Sequence, residues 1–263
     1  MTLEDLVAAA LSAAGLNRRG PFERMDHGAS GDLVFRIAGD PPLFAKLADP
    51  ARRINCAEMA REVAALRWLE GRLPSARLVW SGLVGERPAM LTEALPGQAL
   101  HALSVDRAES GAVAALRALG RLHALPIEAC PFDERLTVKL AESQRRVRGG
   151  EVEVERFDPD NAGASPQTML ADLLARRPTK EDLVVTHGDA SWPNFILQPD
   201  GTVAILDLGR FGVADRHQDL ALFVRSARWN FPELDVEAVL ARVYPVAAKP
   251  ELLAYYRLLD ELY

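Results

Sequence analysis

The sequence predicts an α+β fold in two parts, a small antiparallel sheet followed by a mostly helical half. Three observations carry that expectation. Short alternating or apolar runs, broken by Gly and Pro, recur through residues 33–94. Segments with apolar residues at helical spacing fill most of the chain beyond residue 100, as in Ala108 to Ala124. Between them Pro96-Gly97 breaks the pattern, a turn signal that suits a boundary. With 263 residues the chain can form two modest cores. The expected parts are residues 1–94 and 95–263, with the boundary at about 92–97.

Residues 1–16 read as an amphipathic helix; they carry Glu4 and Asp5 and no basic leader, unlike a secretory signal. Asp26 to Ala38 reads as a small-residue turn feeding a strand over Leu33 to Ile37. Gly28 and Gly31 flank Ser30 there, and such a turn lets backbone N–H groups approach phosphate, although a plain hairpin turn has the same composition. No Gly-Lys-Ser/Thr comes after it, so it is not a Walker loop. Phe44 to Leu47 is a short strand carrying one cation, Lys46. Residues 55–73 are helical, with Met59, Val63, Leu66, Leu69 and Leu73 on one face. Glu62 falls inside that face, where a carboxylate is costly unless paired. Arg77 to Ala94 reads as two strands around Val84-Gly85-Glu86-Arg87.

In the second half Ala108 to Ala124 is a helix whose His123 reads as structural or capping. Helices are also expected over Leu136 to Val147 and Gln167 to Arg176. Between them Glu151 to Asp160 is acidic, either a solvated face or a surface whose Asp158 and Asp160 meet ammonium groups. Asp215 and Asp219 precede a helix over Leu220 to Arg228 and read as an N-cap and a loop anchor. The last helix, Leu252 to Leu262, ends in Asp260, Glu261 and the Tyr263 carboxylate. Three negative charges at a helix C-terminus oppose the macrodipole, which makes sense if a cation binds there.

The chemistry concentrates in Val184 to Gly209, VVTHGDASWPNFILQPDGTVAILDLG. Phe195 to Leu197 and Thr202 to Leu206 should pair as a hairpin across Gln-Pro-Asp-Gly. With Asp200-Gly201 as the loop, Asn194 faces Asp207; with a bulge at Gly201 the two remain neighbours. A carboxylate and an amide oxygen together suit Mg²⁺, which also takes phosphate oxygens as ligands. Asp189 stands five positions before Asn194, placed to orient a nucleophile, while His187 reads as an organiser of the loop.

His187-Gly188-Asp189, then Asn194 five positions after Asp189 and Asp207-Leu208-Gly209 thirteen further on, resembles the catalytic loop and metal segment of protein kinases. Gly188 in place of Arg, the Asp-Leu-Gly triplet and the run Arg210 to Ala221 resemble the aminoglycoside phosphotransferases. The ending Asp260-Glu261-Leu262-Tyr263 resembles their 3′-phosphotransferase branch. The resemblance implies a two-lobed protein-kinase-like fold and ATP-dependent phosphorylation of an aminoglycoside hydroxyl, the 3′ one, with Mg²⁺. It implies that Asp189 is the catalytic carboxylate and that Asn194 and Asp207 hold the metal. Gly28 and Ser30 would cover the ATP phosphates, Lys46 held by Glu62 would clamp them, and main-chain atoms of Thr92 and Ala94 would meet adenine. Asp158, Asp160, Asp260, Glu261 and Tyr263 would face the polycationic substrate, and Arg210 would either steady the metal segment or touch the antibiotic. Trp229 departs from the family, which commonly has Glu at that substrate-facing position. A streptomycin-type 3″-phosphotransferase, another small-molecule kinase of this fold, or a nucleotide-binding protein without turnover are the rival readings.

Composition narrows the partners. The chain is 49% hydrophobic and 26% charged, and no apolar run reaches membrane-spanning length. A net charge of −6 argues against nucleic acid and for a cationic partner. Cys56 and Cys130 have no metal-type spacing and are expected to be reduced thiols of a cytoplasmic protein, a monomer or weak dimer.

Overall fold

In a computed structural model that describes residues 2–17, 20–25 and 31–263, the elements run in chain order as α1 (Leu3–Ala13), β1 (Phe22–Arg24), β2 (Leu33–Ile37), β3 (Leu43–Leu47), α2 (Arg53–Leu69), β4 (Leu78–Val84), β5 (Arg87–Glu93), β6 (Gln98–Ala99), α3 (Val105–His123), α4 (Leu136–Gly149), α5 (Pro166–Ala175), β7 (Leu183–Thr186), β8 (Phe195–Leu197), β9 (Val203–Ile205), β10 (Gly212–Asp215), α6 (Arg216–Asn230), α7 (Val236–Val243) and α8 (Pro250–Asp260). The chain divides into two units, Met1–Gln98 with Gln198–Arg210, and Ala99–Leu197 with Phe211–Tyr263.

The first unit is built on an antiparallel sheet of order β1-β2-β3-β5-β4. α1 starts at Thr2 because Thr2 and Asp5 form a capping box, the Thr2 hydroxyl accepting from Asp5 N–H and the Asp5 carboxylate accepting from Thr2 N–H. It buries Leu6, Val7, Ala10 and Leu11 in one cluster with Phe35, Ile37 and other sheet residues. The two-residue period of β3 places Leu43, Ala45 and Leu47 in that core, so Lys46 points to the opposite face. α2 packs on β4 and β5 and buries Met59, Glu62, Val63 and Leu66. The 198–202 turn closes as its residues dictate: Gln198 N–H donates to Thr202 O at 2.8 Å, and Gly201 supplies φ 82°.

The second unit is mainly helical. Ten of the fifteen residues of α6 are buried, among them Leu220, Leu222 and Phe223 but also His217, Gln218, Asp219 and Ser226, so this helix is enclosed on most of its surface. α8 packs on α6 and α5, with Tyr255, Tyr256, Leu259 and Leu262 meeting Leu136, Leu140 and Leu173 in one core. β7 and β10 pair antiparallel with Thr186 opposite Gly212. Trp192, fully buried, stacks on Phe223 and Phe231 at centroid distances of 5.6 and 5.2 Å, which anchors the segment after Asp189.

Several boundaries differ from the sequence-based expectation. α2 ends at Leu69 rather than residue 73, and Gly71 lies just beyond it in the left-handed region at φ 72°. α6 begins at Arg216, earlier than Leu220, because Asp215 caps it by accepting from His217 N–H at 2.9 Å. β1, β6, β10 and α7 have no counterpart among the expected elements. Three of them are strands of two to four residues, too short for an alternating pattern to register. Among the described residues, no helix is long and apolar enough to cross a membrane.

Candidate active site

Lys46, Glu62 and Asp207 all belong to the first unit and meet as expected for the first two. Lys46 Nζ lies 2.8 Å from Glu62 Oε2 and 3.1 Å from Asp207 Oδ1. Burial disfavours the ammonium, but Asp207 and Glu62 outweigh it and hold Lys46 well above its usual range. Burial pushes Glu62 upward, against the lowering effect of Lys46. Asp207 has left-handed backbone at φ 56°, the one described non-glycine residue with positive φ. Such a conformation is disfavoured and persists where the surroundings hold it. Arg210 Nε donates to Glu58 Oε1 at 3.1 Å, so the structure gives it the loop-steadying contact, one of its two expected roles.

Asp189 and Asn194 belong to the second unit. Their loop hangs on one buried carboxylate, Asp219. Its Oδ2 accepts from His187 N–H at 2.7 Å and its Oδ1 from Gly188 N–H at 2.9 Å. Asp219 Oδ2 also lies 2.8 Å from His123 Nε2, and His123 Nδ1 hydrogen-bonds Tyr244 OH. Burial would raise this carboxyl, but His123 and the loop amides outweigh it, leaving Asp219 below its usual range. Gly188 turns at φ 87°, which explains glycine between His187 and Asp189. Gln218 Nε2 holds the Gly188 carbonyl at 2.9 Å.

Within that frame the Asp189 carboxylate is aimed by two donors, Ser191 Oγ at 2.6 Å to Oδ1 and Asn194 Nδ2 at 3.0 Å to Oδ2. Asn194 ends a 3₁₀ turn, Trp192–Asn194, and its Nδ2 also donates to Asp189 O at 3.0 Å. Its amide nitrogen is thereby turned to Asp189, and its Oδ1 is the atom left to act as a ligand.

The residues expected to face substrate are largely paired within the chain. Both Glu261 oxygens accept from Asp158 N–H, at 3.0 and 3.1 Å, and Oε1 accepts from Asn161 Nδ2 at 2.8 Å. Asp158 is 5% exposed and sits 4.0 Å from Arg225 Nη1 and 3.8 Å from Arg257 Nε. Asp260 Oδ2 takes Arg225 Nη2 at 2.5 Å, and Asp160 Oδ2 takes Arg257 Nη2 at 3.0 Å. At the acidic end of α8, Asp260 is thus compensated by a guanidinium of α6, while Arg257 of α8 pairs with Asp158 and Asp160. Tyr263 places its ring 4.2 Å from buried Lys139 Nζ and donates its hydroxyl to Glu134 Oε2 at 3.4 Å. Trp229 is 59% exposed, with the Arg225 guanidinium 5.1 Å from its ring.

Two nucleotide expectations fare differently. Ala94 N–H donates to Pro42 O at 2.9 Å, and Thr92 stands inside β5 opposite Phe44. The Ala94 N–H is thus engaged by the sheet, one residue beyond the end of β5. Gly28 and Ser30 lie outside the described residues.

Known proteins bear directly on this arrangement. The phosphotransferase enzyme family matches residues 21–259. The chain is 36% identical over 256 residues to an aminoglycoside 3′-phosphotransferase of Streptomyces fradiae, covering 92% of this chain and 95% of that one. The chain belongs to this family. Among solved structures, an aminoglycoside-3′-phosphotransferase of type VIII superposes with a TM-score of 0.84 at 35% identity, covering 98% of this chain and 99% of the other. An aminoglycoside 3″-phosphotransferase of Streptomyces rimosus, solved with ADP and streptomycin, gives 0.80 at 27% identity over 98% of both chains. The expected kinase-like α+β fold is that of these aminoglycoside phosphotransferases.

What sequence reasoning missed in this family member is the set of second partners. Glu58 stands one turn before Glu62, a signal readable from the four-residue spacing. Arg225 and Arg257 gave no such signal, since their acidic partners Asp260 and Asp160 are far away in sequence, and Lys139 pairs with Glu134, which lies before the helix and outside its three- or four-residue spacing.

Proposed function

We propose that this phosphotransferase transfers the γ-phosphoryl group of ATP to a hydroxyl of an aminoglycoside, with the 3′-hydroxyl as acceptor. The observation that carries the reading is the Asp189 carboxylate, aimed by Ser191 and Asn194 in a loop fixed by Asp219. Asp189 orients the substrate hydroxyl and accepts its proton as the oxygen attacks phosphorus. Lys46, kept charged by Glu62 and Asp207, draws the donor phosphates into position. Such transfers depend mainly on positioning and charge neutralisation.

The donor chemistry of Asn194 and Asp207 fits Mg²⁺: one amide oxygen and one carboxylate, hard ligands that leave room for phosphate oxygens. Asn194 and Asp207 would hold that ion, which when bound neutralises charge on the transferring phosphoryl group. A polycationic substrate suits the chain's acidic balance, and Asp160, 72% exposed on its side chain, is the most accessible acid of the paired set. The 3′ assignment rests on the Streptomyces fradiae relative and the 3′-type solved structure. The likeness to the 3″-type enzyme supports a second reading, phosphorylation at 3″.

A panel of aminoglycosides in a coupled ADP-release assay tests both. Turnover of 3′-hydroxylated substrates, abolished on a 3′-deoxy analogue, supports the first reading. Turnover confined to streptomycin-type substrates favours the second, and no ADP release with any aminoglycoside removes both.

A further inference from the structure

The segment Asp207-Leu208-Gly209-Arg210 is held to α2 at both of its ends, and Asp207 has the disfavoured backbone. At Asp207, the contact runs from Glu62 through Lys46 Nζ to Asp207 Oδ1 at 2.8 and 3.1 Å. After it, Arg210 Nε donates to Glu58 Oε1 at 3.1 Å. Between the two, Gly209 passes so close to the helix that a side-chain carbon placed there would lie 2.9 Å from Glu58 Cβ and 3.4 Å from Glu58 O. Glu58 and Glu62 are four residues apart, neighbours on one helix face, so α2 presents two carboxylates to two cations flanking the loop. Glu62 is buried, whereas Glu58 and Arg210 are about a quarter exposed, at 26% and 25% on their side chains.

We propose that Glu58 is a positioning residue: through Arg210 and the close passage of Gly209 it fixes the left-handed turn at Asp207 and thereby the direction of the carboxylate assigned to Mg²⁺. The inference rests on Asp207 being a metal ligand. Glu58 touches neither nucleotide nor metal in this scheme. Its effect therefore falls on Mg²⁺-dependent steps and spares those that do not need the ion.

The test compares wild type with Glu58→Gln, which keeps shape and removes charge, using titration calorimetry with ADP alone and with Mg²⁺–ADP. The expected result is Mg²⁺–ADP binding weakened by about three- to fivefold, the range of a partly exposed ion pair. ADP alone should bind as before, and the Mg²⁺ concentration for half-maximal turnover should rise by a similar factor, with the aminoglycoside KM unchanged. Unaltered Mg²⁺–ADP affinity in Glu58→Gln overturns the proposal. Should ADP alone also bind more weakly, the exchanged pair Glu58→Arg with Arg210→Glu decides: recovery of Mg²⁺–ADP binding supports the ion pair as the cause, and no recovery overturns it. Asp207→Asn separates this inference from the reading beneath it. If that variant binds Mg²⁺–ADP like wild type, the metal assignment fails whatever Glu58 does.

Discussion

At the scale of single residues, buried charges are retained because each has a specific partner. Lys46 is the clearest case. Its ammonium is held by two carboxylates, and replacing it leaves Glu62 buried without that ammonium. Lys46→Met should raise the KM for ATP by about tenfold or more, since charge-assisted contacts are worth roughly 1.5–3 kcal/mol. Steady-state kinetics with ATP varied checks this, and an unchanged KM removes Lys46 from nucleotide binding. Asp219 carries the pH dependence. Its carboxyl and that of Asp215 titrate below their usual value of 3.8, so the unfolded chain binds more protons at moderately acid pH. Their contribution is full above about pH 5 and is lost as pH falls through their folded values. Asp219→Asn should cost about 3 kcal/mol at neutral pH, the scale for breaking a buried charge network. It should also flatten the fall in stability below about pH 4. Urea unfolding across pH measures both, and an unaltered acid slope would contradict the assignment.

At the scale of elements, the sequence was most informative where local chemistry decides. The 198–202 turn with Gly201 in the left-handed region, the strand at Leu33–Ile37 and the α2 face containing Glu62 are consequences of periodicity and turn residues alone. That Glu62 needs a partner was legible for the same reason, since a carboxylate on an apolar helix face is costly alone, while the choice of Lys46 came from the kinase-like resemblance. The partner of Asp260 at the acidic end of α8 was not legible because it comes from α6, thirty-five positions away, as Arg225. Tyr263 illustrates the same limit, since its ring and hydroxyl are taken by Lys139 and Glu134 at the start of α4. These contacts tether the C-terminus, and with it Asp260 and Glu261. Lys139→Met removes the ammonium from buried Glu134 and should cost about 3 kcal/mol of stability. It should raise the aminoglycoside KM more than it lowers kcat. Thermal unfolding with kinetics tests the point, and an unchanged substrate KM would show that the tether does not serve the acidic surface.

At the scale of the whole molecule, two units each fold around a separate apolar cluster, and the functional residues divide between them. Lys46, Glu62 and Asp207 belong to the first; Asp189, Asn194 and the paired acids of α8 belong to the second. That residues 198–210 join the first unit was not legible from composition, which places the boundary at Pro96-Gly97 alone. The reason is tertiary: Ile205 N–H donates to Pro74 O at 3.1 Å, and Asp207 and Arg210 are bound to Lys46 and α2. The central claim is that Asp189 serves transfer of phosphate to an aminoglycoside hydroxyl. It is tested most directly by single-turnover mixing of enzyme, Mg²⁺–ATP and a 3′-hydroxylated aminoglycoside, with the product identified by mass and phosphorus NMR. Wild type should yield the 3′-phosphate, and Asp189→Ala should form it at least about a hundredfold more slowly while still binding nucleotide. Formation of the phosphorylated antibiotic by Asp189→Ala at a rate near wild type would contradict the account.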